Sequence, residues 1–527
     1  MRMSLTPRGE VATLAMILVL SLAPESAPAG QPAPQARPEA TARGEAAPPA
    51  AVVDLQETRA SRKHVLALDG ARLPYTATAG TLVLRDDAGK ARASIFYVAY
   101  TRDGMDDPAT RPVTFSFNGG PGSAAVWVQL GAFGPRKVRM TDEGWPLPPP
   151  GSLVDNAYSV LDLTDLVFID PVGTGFSRPA PGVEAKTFHG LRPDIESVGD
   201  FIRLWTARHE RWASPKFVAG ESYGTTRAAG LALYLQQRHG LYLNGLVMIS
   251  TILNWQNEEI HPGNDTAYVI HLPSYVAAAW YHRKLAPELQ ADLRRTLTEA
   301  EAFAIGEYAS ALVRGDWLPD AEGRAVAAKL ARYTGLDVDY LLRTNLRIGN
   351  ERFTKELLRD RGLTLGRLDM RFTGRDRDAA GERTEFDPAS EAVNVGYVAL
   401  LNDYLRREIG YETDLAYEFS AGLWRNWTWE PFTNQYVNVS EDLRQAMARN
   451  PSLRVLFCSG YYDLATPYFD TPFSVAHLGL PPELRDNVAI SYYEAGHMMY
   501  IRKADHAKFK QDVAAFIRAA TTGAGRP

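Results

Sequence analysis

Disulfide chemistry is almost missing from this chain. It holds one cysteine, Cys458, among 527 residues, so no intrachain disulfide can form and a disulfide-rich secreted scaffold is excluded. Charge of one sign is missing too. The formal net charge is −5, acids and bases are mixed throughout, and no basic stripe or arginine-rich tail suggests nucleic acid as a partner. Metal-binding spacing is absent: the ten histidines are scattered, no His-Glu-x-x-His occurs, and Cys458 has no neighbour of its kind. No metal or cofactor is therefore expected. The apolar run at the N-terminus, Val11 to Ala23, falls short of the roughly 20 residues needed to span a bilayer.

That short run has a different use. Arg2 and Arg8 precede it, and the small-residue pattern Ala27-Pro28-Ala29 follows, the order of a cleavable export signal. Residues 1–29 are expected to be such a signal, with the mature protein in the periplasm or outside the cell. Glu10 departs slightly from the pattern, and the competing reading is an uncleaved membrane anchor. No stable membrane insertion is expected once the signal is removed. Residues 30–51 are mostly proline and alanine without aromatic side chains, too little apolar surface to offset ordering entropy. They read as a linker.

Beyond the linker the composition, 45% hydrophobic and 23% charged, is ample for a buried core. Val65 to Leu84 and Ala93 to Tyr100 read as hairpin strands with Gly89 in the turn. Val113 to Phe117, Leu166 to Ile169, Lys216 to Ala219 and Leu246 to Ile249 are short apolar runs, suited to central strands covered on both faces. Between them, Ile195, Val198, Ile202 and Trp205 recur at helical spacing, and Thr225 to Gln237 does likewise. Strand alternating with helix predicts an α/β fold with a mostly parallel sheet over residues 52–252. Residues 253–442 show no such alternation. Ser274 to Tyr281, Pro287 to Leu312, Ala321 to Tyr333 and Val393 to Arg407 read as helices of an inserted cap, and Arg371 to Glu385 as an exposed loop. The α/β pattern resumes over 443–527, with strands Arg454 to Phe457 and Asn487 to Tyr493 and a closing helix from His506 to Ala520.

The chemistry concentrates at strand ends. Phe217 to Gly224 is an apolar strand running into Gly-x-Ser-x-Gly, with a helical pattern after it. Glycines on both sides of Ser222 permit the tight turn that holds a nucleophilic serine in strained geometry. A serine hydroxyl needs a base. His497 lies in a glycine-containing turn after the last strand, whereas His64, His189, His239 and His477 read as surface or satisfied core histidines. Asp463, just after the strand Arg454 to Phe457, is placed to hold the imidazole tautomer. Asp470 is the rival, farther from the strand end. The order Ser, Asp, His is that of α/β-hydrolases. A second glycine-rich turn, Phe117 to Val126, offers backbone N–H groups for an oxyanion together with the N–H of Tyr223. A phosphate loop is rejected because no Gly-Lys-Ser/Thr follows.

Five segments together resemble the serine carboxypeptidase family: FNGGPGSAA, LVFIDPVGTGFSRP, VAGESYG, SGYYDLATP and AGHMM. The resemblance implies an α/β-hydrolase with a helical cap that releases C-terminal residues from peptides through an acyl-enzyme. It implies Ser222, Asp463 and His497 as the triad, and Gly120 and Tyr223 as oxyanion-hole amides. Asn118, Gly119 and Glu221 match the positions that hold the substrate's terminal carboxylate. The resemblance departs at Ala132, where the family places a second glutamate that shares a proton with Glu221. It departs again at Ser123, a cysteine in the family, and at Met499-Tyr500, usually Val-Pro. An esterase or acyltransferase on the same scaffold is the alternative function, strengthened by Ala132. A non-catalytic binding protein is the third. Nothing in the residues sets an oligomeric state.

Overall fold

The computed structural model describes residues 55–522. The expected export signal and the linker lie outside them. No helix among the described residues is long and apolar enough to cross a membrane.

One large sheet organises the molecule. Its main strands are β1 (Arg59–Leu68), β2 (Ala71–Arg85), β3 (Ala91–Arg102), β4 (Val113–Phe117), β5 (Asp165–Ile169), β6 (Lys216–Glu221), β7 (Gly245–Ile249), β8 (Arg454–Gly460) and β9 (Val488–Tyr493). They lie in the order β1-β2-β3-β5-β4-β6-β7-β8-β9. The first three are antiparallel, and β5 onward are parallel to one another. The expected mostly parallel α/β sheet is therefore present. Every residue of β4, β5, β6 and β7 is buried, which is why these runs carry no alternation.

The run Val65 to Leu84, which reads as one strand in the sequence, is two strands in the structure. It holds the end of β1, a turn at Asp69-Gly70, and most of β2. Both turn residues have positive φ, 50° and 79°, the conformation of a tight two-residue hairpin. The Asp-Gly pair is the local signal for it, hidden by the apolar residues on either side.

Helices cover the sheet. On one face α1 (Leu191–Arg208) buries Val198, Ile202 and Trp205, the residues at helical spacing, and packs beside α2 (Tyr223–His239). The segment between β7 and β8 is largely helical, beginning with α3 (Asp265–Tyr281), and has its own apolar core that includes Tyr275, Leu297 and Phe353. Its helices run to Ile409, and α4 (Ser440–Arg449) instead joins the core over α2 through Leu443 and Met447. The closing helix α5 (Lys503–Thr521) packs on the opposite face with Phe509, Val513 and Ile517. The expected exposed loop from Arg371 is exposed only in its later part. Arg371 and Phe372 are buried, because the guanidinium is clamped by Asp369 at 2.6 Å.

Register places the chemistry. Phe117 pairs with Gly220, Gly220 with Met248, Met248 with Phe457, and Phe457 with Ile490. The parallel strands thus end level, and the residues that follow them meet along one edge. The opposite edge is pinned by a buried cluster. Asp165, at the start of β5, accepts from Arg111 at 2.8 Å and from Arg211 at 2.6 Å, with all three side chains at most 5% exposed. Removing one partner of such a cluster strands buried charge. Asp165→Ala is expected to lower stability by about 3–5 kcal/mol in urea unfolding. A loss below about 1 kcal/mol, the value of an exposed pair, would contradict this role.

Candidate active site

Ser222 leaves β6 with φ 60° and ψ −131°, a conformation rare for a residue with a side chain. Its amide donates to Ile249 O at 2.9 Å, tying the turn to the neighbouring strand. The glycines around it have a steric reason. A Cβ on Gly220 would lie 2.2 Å from Gly224 O, and one on Gly119 would lie 2.5 Å from Tyr223 N. The first contact permits the sharp turn. The second lets the loop after β4 lie directly against the start of α2, whose unpaired N–H groups favour developing negative charge.

Asp463 and His497 meet. Nδ1 of His497 lies 2.7 Å from Asp463 Oδ2, with the histidine 5% and the aspartate 0% exposed. The other carboxylate oxygen accepts from the amides of Ala465 at 2.7 Å and Thr466 at 3.0 Å, while the Thr466 hydroxyl donates to Oδ2 at 2.7 Å. The acid is thus fixed from within its own turn. The histidine loop is fixed from outside: His497 N donates to Leu368 O at 2.7 Å, Gly496 N to Asp369 Oδ2 at 2.9 Å, and Ser250 Oγ to His497 O at 2.6 Å. Burial pulls the imidazole down, but the Asp463 carboxylate and then Glu221 outweigh it and hold His497 above its ordinary value. Asp470 stands apart, bonded to Asn257 and Ser474. Ser222 and His497 line one cavity of about 640 Å³, with Asn118, Gly120 and Glu221 in its wall.

The turn after β4 is braced from below. Arg227 and Asp194 form a buried pair at 2.7 Å, and the same guanidinium donates to Asn118 O at 2.8 Å. Tyr223 adds its hydroxyl to Asp194 at 3.0 Å. These three residues hold Asn118 and α2 in fixed relation, although only Tyr223 was singled out from sequence, and then for its amide.

Glu221 is the most informative group. Its Oε1 accepts from Asn118 Nδ2 and its Oε2 from the Tyr500 hydroxyl, each at 2.7 Å. Burial pushes the carboxyl up to about 7, against the opposing pulls of His497, Tyr500 and Asn118. Ala132 stays in the apolar core at 1% exposure. A phenol from the histidine loop therefore occupies the second position on Glu221. Room for it comes from Gly131, where a Cβ would lie 2.5 Å from the Tyr500 ring. The sequence marks Tyr500 only as a departure from Val-Pro. Thr466 and Asp369 were missed, and the Asp-x-x-Thr spacing in DLAT is the one local signal for the first of them.

Comparisons with known proteins bear on the family resemblance and on the fold. A family model described as serine carboxypeptidase matches residues 75–298. That stretch holds Asn118 to Gly120 and Glu221 to Tyr223, so the resemblance read from the motifs is shown there; Asp463 and His497 fall outside it. Serine carboxypeptidase-like 46 from Arabidopsis thaliana is 26% identical over 181 residues, 33% of this chain and 36% of the relative. Serine carboxypeptidase-like 33 from the same plant is 29% identical over 140 residues, 25% and 27% of the two. The matches thus span about a third of the curated relatives' length. Among solved structures, Kex1(delta)p, a prohormone-processing carboxypeptidase from Saccharomyces cerevisiae, aligns with a TM-score of 0.51 at 14% identity, covering 84% of this chain and 91% of that one. The fold is that of an α/β-hydrolase.

The placement of the two candidate acids generates a direct contrast. Asp463→Asn is expected to lower turnover of an activated ester by about 10⁴ through the wrong imidazole tautomer. Asp470→Asn, remote from His497, is expected to lower it less than about tenfold, a change set by packing alone. The reverse ranking would reassign the acid.

Proposed function

We propose that the protein is an exported serine-type carboxypeptidase acting through an acyl-enzyme. Ser222 is its nucleophile, His497 its general base, and Asp463 the group that orients the imidazole and stabilises it when protonated. The amides of Gly120 and Tyr223 stabilise the tetrahedral oxyanion. Ser222 Oγ attacks the scissile carbonyl, His497 takes its proton and returns it to the leaving amine, and water then releases the acyl group by the same steps. The export signal read in residues 1–29 supports the location.

The single observation that carries the peptidase reading is the buried Glu221, held by Asn118 and Tyr500 one residue before Ser222. A carboxyl with its ionisation displaced to about 7 is neutral in mildly acidic solution and can donate to another carboxylate. The leaving residue's free C-terminus is the group such a donor would recognise. Tyr500 in place of a second acid supplies a hydrogen bond without a second negative charge, so the site does not depend on a shared proton. An ester or acyl-transfer substrate without a carboxylate would leave Glu221 idle.

The pH dependence follows with a definite sign. Neutral Glu221 attracts a terminal carboxylate and ionised Glu221 repels it. The ratio of kcat/KM for a free-acid peptide over its C-terminal amide should be high in acid and fall as pH rises through about 7, by up to about tenfold per unit. Because both substrates need neutral His497, the ratio isolates Glu221. The Tyr500 hydroxyl favours the ionised carboxyl, so Tyr500→Phe should move the fall to higher pH. A ratio near one at every pH would favour the esterase or acyltransferase reading.

A further inference from the structure

Past the ends of β8 and β9, the loops that carry Asp463 and His497 stay joined as far as Tyr462, whose amide donates to Ala495 O at 3.0 Å. From there a third segment lies against both. It is residues 367–370, from the insertion between β7 and β8. On the acid side, Leu464 N donates to Arg367 O at 3.0 Å and Met370 N to Tyr462 O at 2.9 Å, so these bonds flank Asp463. On the base side, Leu368 O accepts from His497 N at 2.7 Å and Asp369 Oδ2 from Gly496 N at 2.9 Å. The acid-side bonds sit at the two ends of the segment and the base-side bonds between them. Four residues thus bridge acid and base.

The approach to the base loop is close. A Cβ on Gly496 would lie 2.4 Å from Asp369 Cβ and 2.5 Å from Leu368 O. Gly496 has no positive φ, so the nearness of this segment is what requires glycine before His497.

The segment is itself held by its own insertion. Asp369 is 3% exposed, and both its oxygens are engaged: Oδ1 accepts from Arg371 N at 3.0 Å, and Oδ2 from Arg371 Nη2 at 2.6 Å as well as from Gly496. Asp387, which caps the short helix Pro388–Asn394, accepts from the amides of Arg367 at 2.9 Å and Leu368 at 3.2 Å. His282, just after α3, donates from Nε2 to Met370 O at 2.7 Å. Charged and backbone acceptors on such short bonds leave the segment little freedom.

We propose that residues 367–370 are a splint that sets the distance between Asp463 and His497, with Asp369 as the positioning residue of the general base. The inference rests on the triad reading above, and the bond it governs is the 2.7 Å contact from His497 Nδ1 to Asp463. Asp369 lies outside the cavity that holds Ser222, so it acts through the loop of His497 and not on the substrate. The insertion therefore completes the acid–base pair as well as covering it.

The test uses a neutral activated ester at about pH 9, well above the histidine range, so that a changed charge near His497 does not alter its protonation. Asp369→Ala should lower kcat by about ten- to a hundredfold, the effect of misplacing a reacting group by an ångström or less. KM should change by less than about twofold, since no substrate contact is removed. Fluorophosphonate should still reach one adduct per chain on Ser222, only more slowly. A merely structural role would instead reduce the fraction of chains that label and leave kcat per labelled chain unchanged. Should Asp369→Ala not fold, Asp387→Ala decides: it is half-buried, frees the segment's first two amides, and should lower kcat per labelled chain by about three- to tenfold. A loss below about threefold in whichever variant folds overturns the splint. An unmodified protein whose Ser222 takes no adduct overturns the triad reading itself, and the inference with it.

Discussion

The turn at Ser222 is the constraint on which the rest of the site depends. A serine held at φ 60° persists only where its surroundings over-determine it. Here they do so with backbone. Gly224 O leaves no room for a Cβ on Gly220, Ile249 O fixes the Ser222 amide, and Gly119 lies against Tyr223 N. Each of these contacts belongs to a different strand end, and the level register of β4, β6 and β7 brings those ends together. A side chain on Gly119 would push the loop after β4 away from α2 and break apart the two candidate oxyanion donors. The strain at one residue is thus held in place by the whole sheet edge.

The same edge explains how the acidic partner of Glu221 could be exchanged without loss of a defined site. Glu221 is the last residue of β6, so its side chain is aimed by the strand that aims Ser222. A carboxyl there needs a donor on its second oxygen. Tyr500 provides one from the loop that also carries His497, and Gly131 makes the space for its ring. Ser222, His497, Glu221 and Tyr500 are therefore carried by two segments, with Asn118 after β4 as the third contact on Glu221. This also couples their charges, since His497 and Glu221 each shift the other's ionisation.

Much of this was legible in the sequence, for physical reasons that differ by element. The parallel strands could be read because burial on both faces leaves unbroken apolar runs, and α1 because its one buried face imposes helical spacing. Ser222 was legible because only glycine fits beside such a turn. The β1–β2 hairpin was not, because apolar residues on either side of Asp69-Gly70 mimic one long strand. Arg371 reads as a loop residue because the run from Arg371 to Glu385 is charged and contains glycine, whereas its burial rests on a partner two residues away. Asp463 and His497 were placed by their order along the chain, but their meeting distance is a tertiary fact. Tyr500 shows the limit most clearly: a tyrosine after His-Met has no meaning until the empty space at Gly131 and the carboxyl of Glu221 are in view.

The central claim, that Ser222 is the nucleophile of a charge-supported hydrolase site, is tested most directly by mapping a fluorophosphonate adduct by mass spectrometry. One adduct per chain is predicted, on Ser222, forming faster as pH rises through the elevated ionisation of His497. An adduct on any other residue, or an unlabelled folded protein, would contradict it.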